Sequence, residues 1–116
     1  MDLNHLHLHV RDLDRSHAFY ERHFGFHERV RHGEILFLRN DAGFDLALVP
    51  DPDPAALPGW FHFGFRLPSP EEVRALFEGL RGAGATLKTP LSEEPDFVWF
   101  RAADPDGVPV EIYWEP

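Results

Sequence analysis

The sequence contains no cysteine. Disulfide bonds, iron–sulfur clusters, thiolate zinc sites and cysteine nucleophiles are therefore excluded. Positive charge is also scarce, because 11 Lys and Arg stand against 20 Asp and Glu and leave a formal net charge of −9. Nucleic acids and anionic membrane surfaces are recognised by basic surfaces, so neither is expected as a partner.

Long apolar runs are missing as well. No stretch approaches the roughly 20 apolar residues of a membrane span. The first residues do not show a basic segment followed by an apolar one, so no signal peptide is expected. A length of 116 residues with 43% hydrophobic residues suits one folded domain. We therefore expect a cytoplasmic globular protein.

Histidine and aromatic residues are abundant: the chain has eight His, eleven Phe and three Trp. The aromatic rings either fill a core or line a pocket for an apolar ligand. Near the start, His5, His7 and His9 alternate with Leu6 and Leu8. A period of two predicts a strand with leucines on one face and histidines on the other.

The same reading of periodicity and turn residues gives an order of elements for each half. The first half is predicted to contain a strand at 3–10, a helix at 13–24 and strands at 26–30, 34–39 and 44–49. Asp12 caps this helix, Gly25 ends it, and Ala18, Phe19 and Phe24 are expected to face the core. The second half is predicted to contain a strand at 60–67, a helix from Pro70 to about 82–84 and strands at 86–89, 97–102 and 110–114.

A proline-rich segment separates the halves, with four prolines between residues 50 and 59. Such a segment cannot be a helix or a central strand. When the second half is laid over the first, His5 falls on His62 and Gly25 falls on Gly82. We predict an α+β fold with two βαβββ modules forming a curved mixed sheet around an open cleft. Module one spans about 1–50, the linker 51–59 and module two 60–116.

The equivalent placement of His5 and His62 suggests a metal site. Glu111 shares a face with Tyr113 on the last predicted strand, and inward-facing strands would bring it toward the two imidazoles. Two imidazoles and one carboxylate leave coordination positions open for water or substrate, as a catalytic metal requires. The alternative is that these strand histidines are exposed or hydrogen-bonded and bind no metal.

Two sequence motifs resemble those of glyoxalase/bleomycin-resistance/dioxygenase proteins, the vicinal-oxygen-chelate superfamily. The first runs from Asn4 through His5 and Asp12-Leu13 to Phe19-Tyr20 and Phe24-Gly25-Phe26. The second is Asp104-Pro105-Asp106-Gly107 followed by Glu111-Ile112. The resemblance implies a cleft that binds a divalent metal (Fe, Mn, Ni or Zn) through His5, His62 and Glu111.

One position departs from the family pattern. Glyoxalase I enzymes carry a glutamate on the last strand of the first module, where this chain has Ala47, and Asp45 is the nearest carboxylate on that face. The glutamates of glyoxalase I also move the proton, so the resemblance argues against that chemistry. The remaining two-His-one-Glu set is similar to that of extradiol dioxygenases, which use Fe(II). Whether Asp45 replaces the missing ligand is left open.

Other residues on the same predicted faces are candidates for catalysis or binding. A neutral imidazole suits proton transfer near neutral pH, so the catalytic candidates are His7, His9 and Tyr113. The substrate-binding candidates are Trp60, Arg66, Trp99 and Arg101, through stacking or pairing with an oxyanion. The alternatives are solvent exposure for a histidine, surface ion pairs for the arginines and core packing for the rings.

Two functions remain open at this point. The first is a metal-dependent enzyme, with ring-cleaving oxygenation, isomerisation and lyase chemistry all compatible. The second is a metal-free protein of the bleomycin-resistance type, which holds a small molecule in an aromatic cleft. The resemblance also implies a homodimer, with a metal site within one chain or across two.

Overall fold

Each half of the chain folds into a strand, a helix and three further strands. The computed structural model describes all residues from Met1 to Pro116. It separates into two units, Met1–Ala56 and Leu57–Pro116. The first unit consists of β1 (His5–Val10), α1 (Leu13–Phe24), β2 (His27–His32), β3 (Ile35–Arg39) and β4 (Asp45–Pro50). The second consists of β5 (Phe63–Arg66), α2 (Pro70–Gly82), β6 (Ser92–Glu94), β7 (Phe97–Ala103) and β8 (Pro109–Trp114).

Both units contain an open four-stranded mixed sheet with the same connectivity. The strand order is β1-β4-β3-β2 in the first sheet and β5-β8-β7-β6 in the second. The first and last strands of each unit pair in parallel, whereas the remaining neighbours are antiparallel. The predicted α+β fold of two βαβββ modules is therefore confirmed.

The alternation of side chains decides which face of each sheet enters the core. In β1, Leu8 and Val10 are buried whereas the three histidines are exposed. In the second sheet the buried residues are Val98, Phe100, Ala102, Ala103, Val110 and Ile112. Phe77 of α2 packs edge-on against Phe100, with the ring centres 5.1 Å apart. The helix therefore covers one face of the sheet, and the polar residues occupy the other.

The helix ends follow the predicted caps. The Asp12 carboxylate accepts a hydrogen bond from the Arg15 amide at 3.1 Å, and Gly25 ends α1 with a φ of 68°. The prediction of which α1 residues face the core was partly wrong. Tyr20 and Ser16 are buried, Phe19 and Phe24 are half-buried, and Ala18 is exposed. Tyr20 contacts Phe26, which also lies in the core.

Two strand predictions in the second unit were wrong. Residues 86–89 form only an isolated bridge between Leu87 and Ala102, and the third strand is β6 at Ser92–Glu94. The amides of Lys88 and Thr89 both donate to the Arg101 carbonyl, so the segment lies beside β7 without regular pairing. Pro90 has no amide proton with which to continue a ladder. Strand β5 begins at Phe63, so His62 lies just before the strand rather than within it.

Neither helix has the combination of length and apolar character that is needed to cross a bilayer.

Candidate metal and ligand site

The polar face of the second sheet collects the candidate residues of module two. Gly64 and Arg66 of β5 lie beside Glu111 and Tyr113 of β8, respectively. On the other side of β8, Arg101 pairs with Glu111 and Trp99 pairs with Tyr113. Residues that pair directly across a sheet point to the same face. We call this surface, together with His62 before β5, the polar face of the second unit.

The turn before β8 determines where Glu111 lies. The Asp104 carboxylate is buried, and its Oδ1 accepts hydrogen bonds from the amides of Asp106 and Val108, both at 2.9 Å. Gly107 adopts a φ of 85°, which favours glycine over other residues. The Asp-Pro-Asp-Gly motif is thus a turn that directs the chain into β8.

Gly64 permits close approach of β5 to β8 at the level of Glu111. A Cβ atom placed on Gly64 would lie 2.8 Å from the Glu111 carbonyl oxygen and 3.2 Å from its Cβ. The first distance is shorter than side-chain contacts allow. A side chain here would displace the strand that carries the glutamate.

The imidazole of His62 is oriented toward Glu111. Its Nδ1 lies 3.2 Å from the Trp60 carbonyl oxygen. Because a carbonyl only accepts hydrogen bonds, Nδ1 carries the proton and Nε2 keeps a lone pair. This Nε2 lies 3.7 Å from Oε2 of Glu111. The side chains of His62 and Glu111 are 36% and 20% exposed, so solvent reaches both.

Arg101 lies between these two groups. Its Nε donates to Oε2 of Glu111 at 2.8 Å, and its Nη2 lies 3.5 Å from Nε2 of His62. The Cζ atom is 5.7 Å from the centre of the Trp99 ring, a distance typical of a cation–π contact. The guanidinium therefore contacts a carboxylate, an imidazole and an aromatic ring.

The pair of His62 and Glu111 fits a divalent cation. Bonds from zinc to imidazole nitrogen and carboxylate oxygen are each about 2.0–2.2 Å long, so two donors 3.7 Å apart can reach one ion. The carbonyl that holds the opposite ring nitrogen of His62 is a usual companion of metal-binding histidines. Within each unit, however, no three His, Asp or Glu side chains converge as a complete ligand set.

The histidines of β1 line the exposed face of the first unit. Nδ1 of His5 lies 2.9 Å from the Asn4 side-chain oxygen, which leaves Nε2 of His5 with the lone pair. The rings of His7 and His9 are 5.2 Å apart. Nδ1 of His9 lies 2.9 Å from Oδ2 of Asp51, and this hydrogen bond holds the pKa of the Asp51 carboxyl below its usual range.

Asp45 is engaged by two arginines. Arg39 donates to it at 2.6 and 3.0 Å and Arg29 at 3.3 and 3.0 Å. The hydrogen bonds from Arg39 are the main reason that the pKa of Asp45 lies below its usual value. In register, Ala47 pairs with His7 of β1 as Glu111 pairs with Gly64 of β5. The position equivalent to Glu111 therefore holds an alanine, and the nearest carboxylate already has two cationic partners.

The remaining candidates occupy distinct environments in the second unit. Arg66 donates to the backbone carbonyls of Glu115 and Pro116 at 2.9 and 3.2 Å. Trp60 is 76% exposed and contributes its carbonyl to His62. The ring of Phe97 lies 6.2 Å from that of Trp99 and 6.0 Å from that of Tyr113. These three rings form an aromatic patch beside Arg101.

Some contributors to the site have little signal in the sequence. Thr89 accepts a hydrogen bond from the Arg101 amide at 2.9 Å, and Gly64 provides the space beside Glu111. Both roles depend on which strands are neighbours. A glycine within the alternating segment before Arg66 was a weak sign of close backbone approach.

Two βαβββ modules, with a histidine and a glutamate together on the polar face of the second, define a protein of the vicinal-oxygen-chelate fold. The chain belongs to the Glyoxalase/Bleomycin resistance protein/Dioxygenase superfamily, whose family model matches residues 2–112.

Known proteins of similar sequence and structure support this assignment. The chain is 34% identical to the uncharacterized protein PA2024 of Pseudomonas aeruginosa strain PAO1, over 98% of this chain and 89% of that protein. It is similar to the structure of a possible glyoxalase from Bacillus cereus, at 27% identity, with 97% of each chain covered and a TM-score of 0.84. It shares its fold with the fosfomycin resistance protein FosX of Listeria monocytogenes, at 22% identity and a TM-score of 0.87, over 100% of this chain and 94% of FosX.

Proposed function

We propose that the chain is a metal-dependent enzyme of the glyoxalase/dioxygenase type that acts on a small molecule with two neighbouring oxygens. His5, His62 and Glu111 are the proposed ligands of a divalent ion, which is Fe, Mn, Ni or Zn. The observation that carries the proposal is the 3.7 Å separation between Nε2 of His62 and Oε2 of Glu111. The third ligand, His5, belongs to the first unit, either of the same chain or of a second copy in a homodimer.

A bound divalent ion would supply Lewis acidity, stabilising negative charge that develops on the chelated oxygens. The chain's own residues then hold and position the substrate. The Trp60 carbonyl accepts a hydrogen bond from Nδ1 of His62, and the Asn4 side-chain oxygen accepts one from Nδ1 of His5. Each imidazole therefore keeps the lone pair of Nε2 for a metal. The aromatic patch of Phe97, Trp99 and Tyr113 offers rings against which an apolar part of the substrate can pack.

Proton transfer is proposed for the histidines of β1. Asp51 orients His9 by accepting from Nδ1, so that Nε2 of His9 is the basic nitrogen. His7, whose ring is tilted by 37° to that of His9 with the centres 5.2 Å apart, is the second candidate. Tyr113 is a candidate donor on the second unit. Arg66 would contact a substrate only in competition with the carbonyls of Glu115 and Pro116.

Oxygenation, isomerisation and lyase chemistry all remain within the proposal. Extradiol-type oxygenation with Fe(II) agrees best with the two-His-one-Glu set. Glyoxalase I chemistry requires a fourth ligand, and this chain has Ala47 at the equivalent position. A cytoplasmic homodimer is the expected working form.

The alternative is a metal-free protein that binds a small molecule, and one observation favours it. The Arg101 guanidinium lies 2.8 Å from Glu111, so the carboxylate has a cationic partner within the chain. The adjoining aromatic patch is the kind of surface that binds a planar ligand. This protein would not need His5, His62 and Glu111 as a set.

Metal analysis tests the proposal. Tag-free wild type, His62→Ala and the control His17→Ala are incubated anaerobically with each metal, desalted and measured by mass spectrometry. His17 lies on α1, where its ring contacts Glu21 rather than the polar face. We expect near-stoichiometric metal in wild type and His17→Ala, and loss in His62→Ala. An empty wild type under every condition would overturn the metalloenzyme and leave the metal-free alternative.

A further inference from the structure

We propose that Arg101 is an internal counter-ion of Glu111 that competes with the divalent metal, and that its release makes the loaded site select an anionic ligand. The inference rests on the proposed function, because it concerns the same metal site. It adds the charge of the substrate: an anion, such as a small hydroxycarboxylate, rather than a neutral molecule.

The competition follows from the atoms involved. Arg101 Nε uses Oε2 of Glu111 at 2.8 Å, and Nη2 faces Nε2 of His62 at 3.5 Å. The same oxygen and nitrogen are the donors that lie 3.7 Å apart and fit one metal ion. A lone pair directed at a metal cannot also accept from the guanidinium at full strength. Metal binding through Oε2 therefore weakens the contact between Arg101 and Glu111, and the positive guanidinium opposes the approach of the ion.

The backbone of Arg101 and one contact of its guanidinium do not depend on Glu111. The backbone of Arg101 is held by Thr89, whose Oγ1 accepts from the Arg101 amide, and by the amides of Lys88 and Thr89, which donate to its carbonyl. The side chain is 33% exposed, and its Cζ is already within 5.7 Å of the Trp99 ring. Rotation of the side chain can thus break the contact with Glu111 while the guanidinium stays beside the Trp99 ring, and β7 need not move.

The charges then define the ligand. With neutral His62, the charges of Arg101 and Glu111 cancel each other. A divalent ion adds two positive charges at this position, and Arg101 is no longer neutralised by a direct contact with Glu111. Arg66, another cation on the polar face, is bonded to the carbonyls of Glu115 and Pro116. An anionic oxygen is therefore favoured beside the metal, where the planar guanidinium can donate two parallel hydrogen bonds.

Binding of Mn²⁺ alone, followed by electron paramagnetic resonance of the free ion, tests the competition. Wild type, Arg101→Met and the control Arg66→Met are compared at one ionic strength. Both substitutions remove one positive charge from the same face, but only the first frees Glu111. We expect Arg101→Met to bind Mn²⁺ at least tenfold more tightly and Arg66→Met to change less than threefold. Arg101→Lys keeps the positive charge, so its Mn²⁺ affinity should lie between those of wild type and Arg101→Met.

A second measurement tests the choice of ligand. Glycolate and the neutral diol ethylene glycol are added to each Mn²⁺-loaded protein, and binding is followed by water-proton relaxation. We expect wild type to prefer glycolate, and Arg101→Met to lose at least fivefold in glycolate affinity with no change for the diol.

The outcomes separate this inference from the proposed function. Equal Mn²⁺ affinity in wild type and Arg101→Met would overturn the competition while leaving the metal site intact. An unchanged preference for glycolate in Arg101→Met would overturn the role in ligand selection. If neither wild type nor any Arg101 variant binds metal while all remain folded by circular dichroism, both proposals are wrong. Should Arg101→Met fail to fold, Arg101→Lys decides the competition through the same comparison.

Discussion

Gly64 and Glu111 face each other on neighbouring parallel strands so closely that a Cβ on the glycine would lie 2.8 Å from the glutamate's carbonyl oxygen. Backbone rather than a flexible side chain is the obstacle, so β8 must move if the glycine is replaced. Because β8 also carries the carboxylate of the proposed metal site, a change in this contact affects both stability and metal binding.

Gly64→Ala is therefore expected to destabilise the protein by about 1–3 kcal/mol, the usual range for overpacking. It should also weaken Mn²⁺ binding. Urea unfolding and Mn²⁺ titration provide the measurements. Gly79→Ala is the matched control, because nothing lies within 4 Å of a Cβ there. Gly79 is exposed within α2, so its replacement should stabilise the protein by roughly 0.5–1 kcal/mol. Unchanged stability in Gly64→Ala would show that the strands adjust without cost.

The buried Asp104 carboxylate provides a second test of how Glu111 is positioned. Asp104→Ala removes the acceptor of two backbone amides, each at 2.9 Å. Unsatisfied buried donors cost about 1–3 kcal/mol each, so we expect a loss of at least about 2 kcal/mol in urea unfolding. Asp104→Asn keeps an oxygen at this position, so its free energy of unfolding should decrease less. Equal losses in the two variants would mean that the carboxylate charge, rather than the acceptor, is what matters.

The Asp45 cluster predicts a defined dependence of stability on pH. Hydrogen bonds from Arg39, then those from Arg29, lower the pKa of Asp45 in the folded state. A lowered pKa contributes stability that is present above the unfolded value of about 3.9 and is lost as the pH falls through the folded value. Asp45→Asn should therefore cost about 1–2 kcal/mol near neutral pH, with the difference from wild type shrinking below about pH 4.

Urea unfolding of wild type and Asp45→Asn between pH 3 and 7 measures this dependence. Asp41→Asn is the control, since it removes a carboxylate from the exposed turn before β4. A difference between wild type and Asp45→Asn that stays constant down to pH 3 would contradict the ion-pair explanation.

Metal binding should also raise thermal and chemical stability. A ligand that binds only the folded state at about 100 times its Kd contributes about 2.7 kcal/mol. We expect this increase with Mn²⁺ in wild type, its reversal by a chelator, and its absence in His62→Ala. An equal increase in His62→Ala would place the metal elsewhere.

Much of the fold was predictable because local patterns coincide with tertiary contacts. The alternation of His and Leu in β1, the Asp12 cap and the turn at Asp104 all act within a few residues. Predictions failed where a distant segment decided the outcome. Residues 86–89 have a strand-like composition, yet both Lys88 and Thr89 donate to one carbonyl of β7 and do not form a regular ladder.

In the candidate site, too, some features could be predicted from local sequence and others depended on distant segments. The positions of His62 and Glu111 followed from the repeat and from the motif before β8. The ion pairs of Asp45 with two arginines could not be predicted from their spacing in the sequence. Arg29 lies 16 residues from Asp45 and comes close to it because the sheet has the strand order β4-β3-β2. Ala47, in contrast, was identified from sequence as the position without a ligand, and the strand register agrees.

The sequence by itself determined the two βαβββ modules and the residue types of the candidate site, because periodicity and turn chemistry are local properties. Only the tertiary structure decided the partners of those residues. Arg101 lies ten residues before Glu111, but the antiparallel pairing of β7 with β8 puts its guanidinium on the carboxylate and beside His62. The ion pairs in the site depend on which strands are neighbours, and the packing of the whole sheet determines those neighbours.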